Sequence, residues 1–274
     1  LTRSLFDNRD MVSAIAFTPM GDLLLVAHQG SGEVDILDPF TLTRVGGFQE
    51  VGVGLHGVAT DGKTAWVLAA WDRELIAYDL ADPSAEVEVA RISLVGSEPL
   101  PPEVLAGGRI FHFAGDPRMS RDGYLSCGSC HPSGDQDGRM WDFTDRMEGF
   151  RNTQPMWALP PDGPFHWSAN FDELQDFEAA IRDHQNGIGF MADEYYAATA
   201  ESLGAAKAGF SPDLDALAAY MQSLVGQLPR SAHRETDGSW TAEAELGRQV
   251  FAAQGCDRCH SGEQTTDSGW NENG

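Results

Sequence analysis

The chain has 274 residues, with 42 acidic against 18 basic side chains and a formal net charge of −24. Such a balance excludes a generic nucleic-acid-binding surface, which needs a basic footprint, and suits solubility and the steering of positively charged partners. No run approaches the roughly 18 consecutive apolar residues of a membrane-spanning helix, and only two lysines occur, Lys63 and Lys207, so nearly all positive charge is arginine.

Residues 11 to about 92 are dense in short β patterns and contain an internal repeat. The segments 14–27 (AIAFTPMGDLLLVA) and 57–70 (GVATDGKTAWVLAA) share one template, and each leads to a strand ending in aspartate, at Asp38 and at Asp79. The offset of 41 residues between those aspartates falls in the range of four-stranded propeller blades. Met20-Gly21, Ser31-Gly32 and Asp61-Gly62 sit between the apolar runs as hairpin turns. On these residues the segment resembles bacterial YVTN-type β-propeller repeats; an unrelated small β-sandwich is the alternative. Two blades cannot close a propeller, which typically takes about four to eight. The reading therefore expects blades missing from the front, or a partner chain covering the exposed blade face.

Pro99, Pro101 and Pro102 form a connector that marks a boundary. Beyond it, residues 104–113 read as a helix, and the chain then presents Cys127-Gly-Ser-Cys130-His131. Cys-x-x-Cys-His is the attachment pattern of c-type haem, in which two thiols form thioethers to the macrocycle and the histidine ligates iron. The pattern recurs at Cys256-Asp-Arg-Cys259-His260, 129 residues further on. Zinc ribbons pair their halves about 15–20 residues apart, and neither zinc nor redox-dithiol chemistry accounts for a histidine after each pair. The two motifs consume all four cysteines.

Between the motifs, residues 212–224 carry apolar positions at helical spacing, with Ser211 and Pro212 as N-cap and first helical residue. A polar linker, 229–239, precedes a helix that opens at Trp240-Thr-Ala-Glu and delivers the second motif. Only 14 residues follow His260, too few to wrap a haem, so the second unit's distal ligand is expected beyond Gly274. The fold class expected is multidomain β + α. A partial propeller of about two blades spans 1–95, a first cytochrome c-type haem domain 96–228, and the start of a second, truncated one 229–274.

Residues 98–274 also resemble a family. Gly108-Arg-Ile-Phe, Asp116-Pro-Arg-Met-Ser, Ser126-Cys-Gly-Ser-Cys-His, Phe143-Thr-Asp and Arg151-Asn-Thr are together similar to bacterial di-haem cytochrome c peroxidases and their MauG-like relatives. The resemblance implies two covalent haems, with His131 and His260 as proximal iron ligands. Candidates for the sixth ligand of the first iron are Met140, Met147, His166, His184 and Met191. His166 is favoured, because Phe165-His166-Trp167 overlays the family's Tyr-Met-His-Asp-Gly pattern with His166 at the axial position. Bis-histidine ligation gives a lower potential than His/Met. Met147 comes next by its distance from the attachment histidine, and Met191 third; core filling is the ordinary role of either.

Trp167 matches a family tryptophan that lies between the two haems, so it is placed in the cofactor-binding set; packing on a porphyrin edge is the alternative. Asn152 matches a calcium ligand of the family, although one oxygen ligand does not make a calcium site. The family's peroxidases line the peroxide pocket with a glutamate, and Phe190 stands at that position here. Glu178 and Asp183 read as helix-surface charges, and the Asp135–Gly138 run as a solvated turn. The expected function is a multihaem c-type electron-transfer protein with the propeller as docking module, working with a redox partner such as a small basic cytochrome. The alternatives are a di-haem peroxidase or MauG-like oxidase, and a structural or adhesive surface protein with accessory haem. Covalent haem attachment takes place outside the cytoplasmic membrane, which points to a periplasmic or extracellular location.

Overall fold

A computed structural model describes residues 9–144, 148–160, 162–227, 231–262 and 267. Its first eight strands form two antiparallel four-stranded meanders. β1 (Val12–Phe17), β2 (Leu24–His28), β3 (Glu33–Leu37) and β4 (Arg44–Phe48) pair in sequence order, as do β5 (Leu55–Thr60), β6 (Thr64–Ala69), β7 (Glu74–Asp79) and β8 (Glu88–Ser93). Alternation sets the faces, since side chains paired across strands share a side of the sheet. Ala14, Ala27, Val34 and Phe48 form one such row in the first sheet, and Val58, Val67 and Ile76 one in the second. These rows meet in a common core with Leu25, Ile36 and Tyr78, where the Phe48 and Tyr78 rings stack at 4.0 Å.

The repeat accounts for the first three strands of each sheet, and Gly21, Gly32 and Gly62 take positive φ at the expected turns. The fourth strands carry no template of their own: β4 contains Gly46 and Gly47, and β8 is exposed along its whole length. Among the described residues the two sheets remain open rather than closing a ring. Ile15 and Phe17 on β1 are 59% and 55% exposed, and Ile92 on β8 is 51% exposed.

Asp35 lies on the outer face of the first sheet, 3.1 Å from His28 Nε2 and 2.7 Å from Arg44 Nε. Burial by itself would raise its pKa, but the His28 hydrogen bond and the charges of Arg9 and Arg44 outweigh it and hold the carboxyl down at about 2. A pKa lowered on folding stabilises above the unfolded value of about 3.9 and loses that contribution as pH falls through the folded one. Acid titration of the full chain should therefore show stability falling from about pH 4 towards pH 2, and Asp35→Asn should flatten that limb. An acid limb identical in the variant would show that other groups carry it.

The remaining elements are mainly helical: α1 (Pro102–Phe111), α2 (Cys127–Cys130), the hairpin β9 (Met140–Phe143) and β10 (Gly149–Asn152), α3 (Phe177–Asp183), α4 (Asp193–Ala198), α5 (Pro212–Leu224) and α6 (Ala242–Ala253). Ser211 caps α5 through Leu214 N (3.3 Å), and Thr241 caps α6 through Ala244 N (3.3 Å). Phe111, Met119, Phe165, Ile181, Leu217 and Met221 belong to the core that α5 closes. Lys207 and Asp176 form an ion pair of 2.6 Å inside it, each side chain 1% exposed. No residue of α6 is buried, and Leu246, Val250 and Phe251 face outward. No helix among the described residues is long and apolar enough to cross a membrane.

Trp71, in the β6–β7 turn, joins the sheets to the helical core. Its ring stacks on His112 at 5.0 Å and meets Tyr220 edge-on at 5.2 Å, while Arg109 bonds its carbonyl (3.1 Å) and pairs with Asp72 (3.2 Å). Two consecutive glycines make this approach possible. A Cβ on Gly107 would run into the Ala216 carbonyl on α5, and one on Gly108 into the Trp71 ring. Glycine costs about 1 kcal/mol in a helix interior, which contact on both sides of α1 offsets. Gly108→Ala should raise helix propensity yet destabilise the chain by about 1–3 kcal/mol through overpacking, read by urea denaturation. A stabilised variant would mean that Trp71 yields easily.

Candidate haem site

The first Cys-x-x-Cys-His motif is a single helical turn with both ends tied down. Ser126 and Ser129 form a reciprocal capping box, in which Ser129 Oγ accepts from Ser126 N at 2.7 Å. His131 N closes the turn onto the Cys127 carbonyl at 3.0 Å. Gly128 is buried under the His112 ring, where a Cβ would come within 2.7 Å of Nδ1. Both thiols are free. Burial pushes Cys127 up to about 12. Burial, then the charges of Asp137 and Asp10, push Cys130 up to about 11. A redox dithiol depends on a lowered thiol pKa, and this environment does the reverse. Among the described residues no three His, Cys, Asp or Glu side chains converge as a metal-binding cluster.

Burial lowers the His131 pKa to about 4, against weaker opposing effects from the Gln154 and Asp135 backbone. The ring is therefore neutral at pH 7, the state in which imidazole binds metals. Its buried Nδ1 has no hydrogen-bond partner. Gln154, whose backbone acts on the His131 ring, also borders an open cleft lined by Pro155, Leu159, Phe165, His166 and Trp167, which His131 itself does not line. These residues fit a covalently attached haem: two free thiols one turn apart, an adjacent neutral imidazole with an orphaned nitrogen, and a second imidazole bordering a nearby cleft.

His166 adopts φ +67°, a sparsely populated conformation for a non-glycine residue. Its Nδ1 lies 2.9 Å from Asn170 Oδ1, and its ring packs on Phe171 at 4.1 Å and Phe177 at 4.8 Å. A hydrogen bond at one ring nitrogen is what orients a ligating histidine. Trp167, 54% exposed, donates from Nε1 to the Asn152 carbonyl at 2.7 Å. That bond joins the residues matched to the inter-haem tryptophan and to the calcium ligand. Met191 is buried in the helical core, Met140 is exposed, and His184 packs edge-on against Phe143 at 5.2 Å. Met147, the second ligand candidate, lies outside the described residues.

Two expectations need correction. Glu178 is not a surface charge: its side chain is fully buried, paired with Arg182 at 2.8 Å, and accepts from Phe190 N (2.9 Å) and Met191 N (3.1 Å). Alternation of charge with apolar residues cannot separate an outward carboxylate from one turned in to cap a neighbouring loop. Asp183 is exposed, as expected. The Asp135–Gly138 run is more than a solvated turn. Asp137 accepts from Thr153 Oγ1 (2.8 Å) and Trp141 Nε1 (3.0 Å) and so draws β9 and β10 to the motif. The hairpin itself carried no readable signal, because its strands are four residues each. Sequence reasoning also missed Asp10, Gln29, His112 and Tyr220, which surround the motif from distant positions.

The second motif differs. Cys256, Asp257, Arg258 and His260 are all exposed. A 3₁₀ turn, Cys256–Arg258, follows α6, and His260 N bonds the Cys256 carbonyl at 3.0 Å. The exposed face of Leu246, Val250 and Phe251 lies on the same short helix-turn unit.

The chain is 30% identical over 203 residues to methylamine utilization protein MauG of Methylorubrum extorquens, an overlap covering 65% of this chain and 55% of that protein. It thus spans about half the length of this curated relative. The similarity agrees with the MauG-like resemblance of the motif-bearing region. No protein-family model matches the chain. Solved structures with partial similarity include the β-propeller domain of Myceliophteria thermophila Cps50 (22% identity, TM-score 0.27, 30% of this chain and 29% of that one). Hydrazine synthase of Kuenenia stuttgartiensis is another (20% identity, TM-score 0.28, 34% and 27%). Overlaps of this extent carry no functional argument.

Proposed function

We propose that the chain is a c-type multihaem electron-transfer protein with covalently bound haems, acting in the periplasm or extracellularly. Cys127, Cys130 and His131 hold the first haem and Cys256, Cys259 and His260 the second, with His166 as distal ligand of the first. Residues 1–95 serve as a docking module, 96–228 as the first haem unit, and 229–274 as the opening of the second. Bound at these motifs, haem iron supplies one-electron exchange. The protein's part is to fix the attachment turn, keep His131 neutral and shape the cleft that His166 lines.

The observation that carries the reading is the capped turn that presents two free thiols one turn apart, followed by a buried His131 whose Nδ1 has no partner; His166 lines a cleft that Gln154, next to His131, also borders. Carrier is favoured over peroxidase because cleavage of an O–O bond needs a general acid within reach. Phe190 occupies the matched position, and the neighbouring Glu178 is committed to Arg182 and two backbone amides. The MauG similarity supports a haem-based oxidoreductase and keeps the enzyme reading as the alternative. The acidic surface suits a basic small cytochrome as redox partner. Further blades suit the uncovered faces at Ile15, Phe17 and Ile92, since the two sheets present already pack on one another in that way.

The test is the absorption spectrum of the haem-loaded chain. A first haem that is low-spin in both oxidation states, and unaltered by peroxide or carbon monoxide, is the expected result. High-spin ferric iron at that site would overturn His166 as ligand, and peroxide turnover would replace the carrier reading with the enzyme.

A further inference from the structure

The interior residues of the first motif are both held from the sheet side of the molecule. Asp10 precedes β1, 116 residues from Ser126. Its Oδ2 accepts from Ser126 Oγ at 3.1 Å and from Ser129 Oγ at 2.8 Å. The carboxylate is 3% exposed, its own N–H donates to Ser31 Oγ at 2.6 Å, and it packs on Gly30, where a Cβ would collide with it. Among the described residues no lysine or arginine pairs with it. The other interior residue, Gly128, is capped by His112. That ring stacks on Trp71, lies 3.4 Å from Gln29 Nε2, and is bound on its far side by Tyr220 Oη at 3.1 Å. The corresponding residues of the second motif, Asp257 and Arg258, are exposed.

Burying a carboxylate without a cation is costly unless hydrogen bonds compensate. Here two hydroxyls do so, and both belong to the box that shapes the attachment turn. Burial raises the Asp10 pKa, while the Ser129 and Ser126 bonds oppose the rise. Its charge also reaches Cys130, behind the effects of burial and Asp137. The contact is thus both mechanical, setting the turn's register through the serines, and electrostatic, placing negative charge beside the motif.

We propose that Asp10 is a positioning residue of the first haem site, supplied by the sheet region, which fixes the Cys127–Cys130 turn through Ser126 and Ser129 and lowers the potential of the iron bound there. This rests on haem attachment at Cys127 and Cys130 as read above. A negative charge near the iron favours the ferric state, and its removal favours the ferrous one. Only the first haem should feel it.

The test uses the full haem-loaded chain with Cys256→Ser and Cys259→Ser, so that one haem is observed. Asp10→Asn keeps the size and acceptor oxygen but removes the charge. Covalent haem content, measured by mass under denaturing conditions, should stay at the parent level while the midpoint potential moves upward. Asp10→Ala strips the serines of their acceptor, and covalent haem content should fall several-fold. An unshifted potential in Asp10→Asn, or full attachment in Asp10→Ala, would overturn the proposal. Absence of haem from the parent chain itself would instead refute attachment at Cys127 and Cys130, which separates the two failures.

Discussion

A Lys207→Met variant is expected to lose about 3–5 kcal/mol of unfolding free energy, because it strands the Asp176 carboxylate inside the helical core. That is a large part of the roughly 5–15 kcal/mol a domain commonly has. The pair is 2.6 Å apart, and each side chain is 1% exposed. Asp176 is bound on its other oxygen as well, accepting from Asp172 N at 3.0 Å and Glu173 N at 3.2 Å. Glu173 in turn accepts from the backbone N–H groups of Lys207 and Ala208. One cluster therefore ties the start of α3 to the segment that leads into α5. From α3, Glu178 and Arg182 reach out to hold Phe190 and Met191. A second variant separates loss of the pair from loss of the lysine's bulk: with Asp176→Asn added to Lys207→Met no charge remains buried, and most of the lost stability should return. Urea denaturation of the full chain reads both. A single variant within 1 kcal/mol of the parent, at the edge of ordinary surface effects, would show that the buried pair contributes little.

Replacing Cys127 and Cys130 together by serine should abolish covalent haem at the first site while leaving the second motif's share intact. Serine preserves the size and the helical turn but cannot form a thioether. Mass analysis after acid extraction would report the loss. Either single replacement should leave one thioether and a shifted ferrous absorption band. Undiminished covalent haem in the double variant would remove the motif from the proposal altogether.

What could be read without the structure was local. The haem motifs, the N-cap Ser211 and the three-strand template depend on neighbours a few residues apart, and each has a compact signature. The fourth strands were invisible because they fall outside the repeated template and bury little: β4 holds Gly46 and Gly47, and β8 is exposed along its length. The contacts that shape the site were invisible because they span long loops: 83 residues from Gln29 to His112, 108 from His112 to Tyr220 and 116 from Asp10 to Ser126. Nothing in the surroundings of Asp10 distinguishes it from other acidic side chains in a chain with 42 of them. Lys207 was the exception that could have been noticed. In a chain that otherwise uses arginine, an isolated lysine invites the question of what it pairs with.

The burial of Lys207 has a practical side. Of the two lysines in this sequence, it leaves Lys63, exposed in the tight β5–β6 turn, as the one whose side-chain amine is open to reagents in the folded state. A lysine-directed tether would hold every molecule by the same corner. Films on an electrode would then share one orientation, with the sheets anchored and the cleft beside His166 presented in the same way throughout.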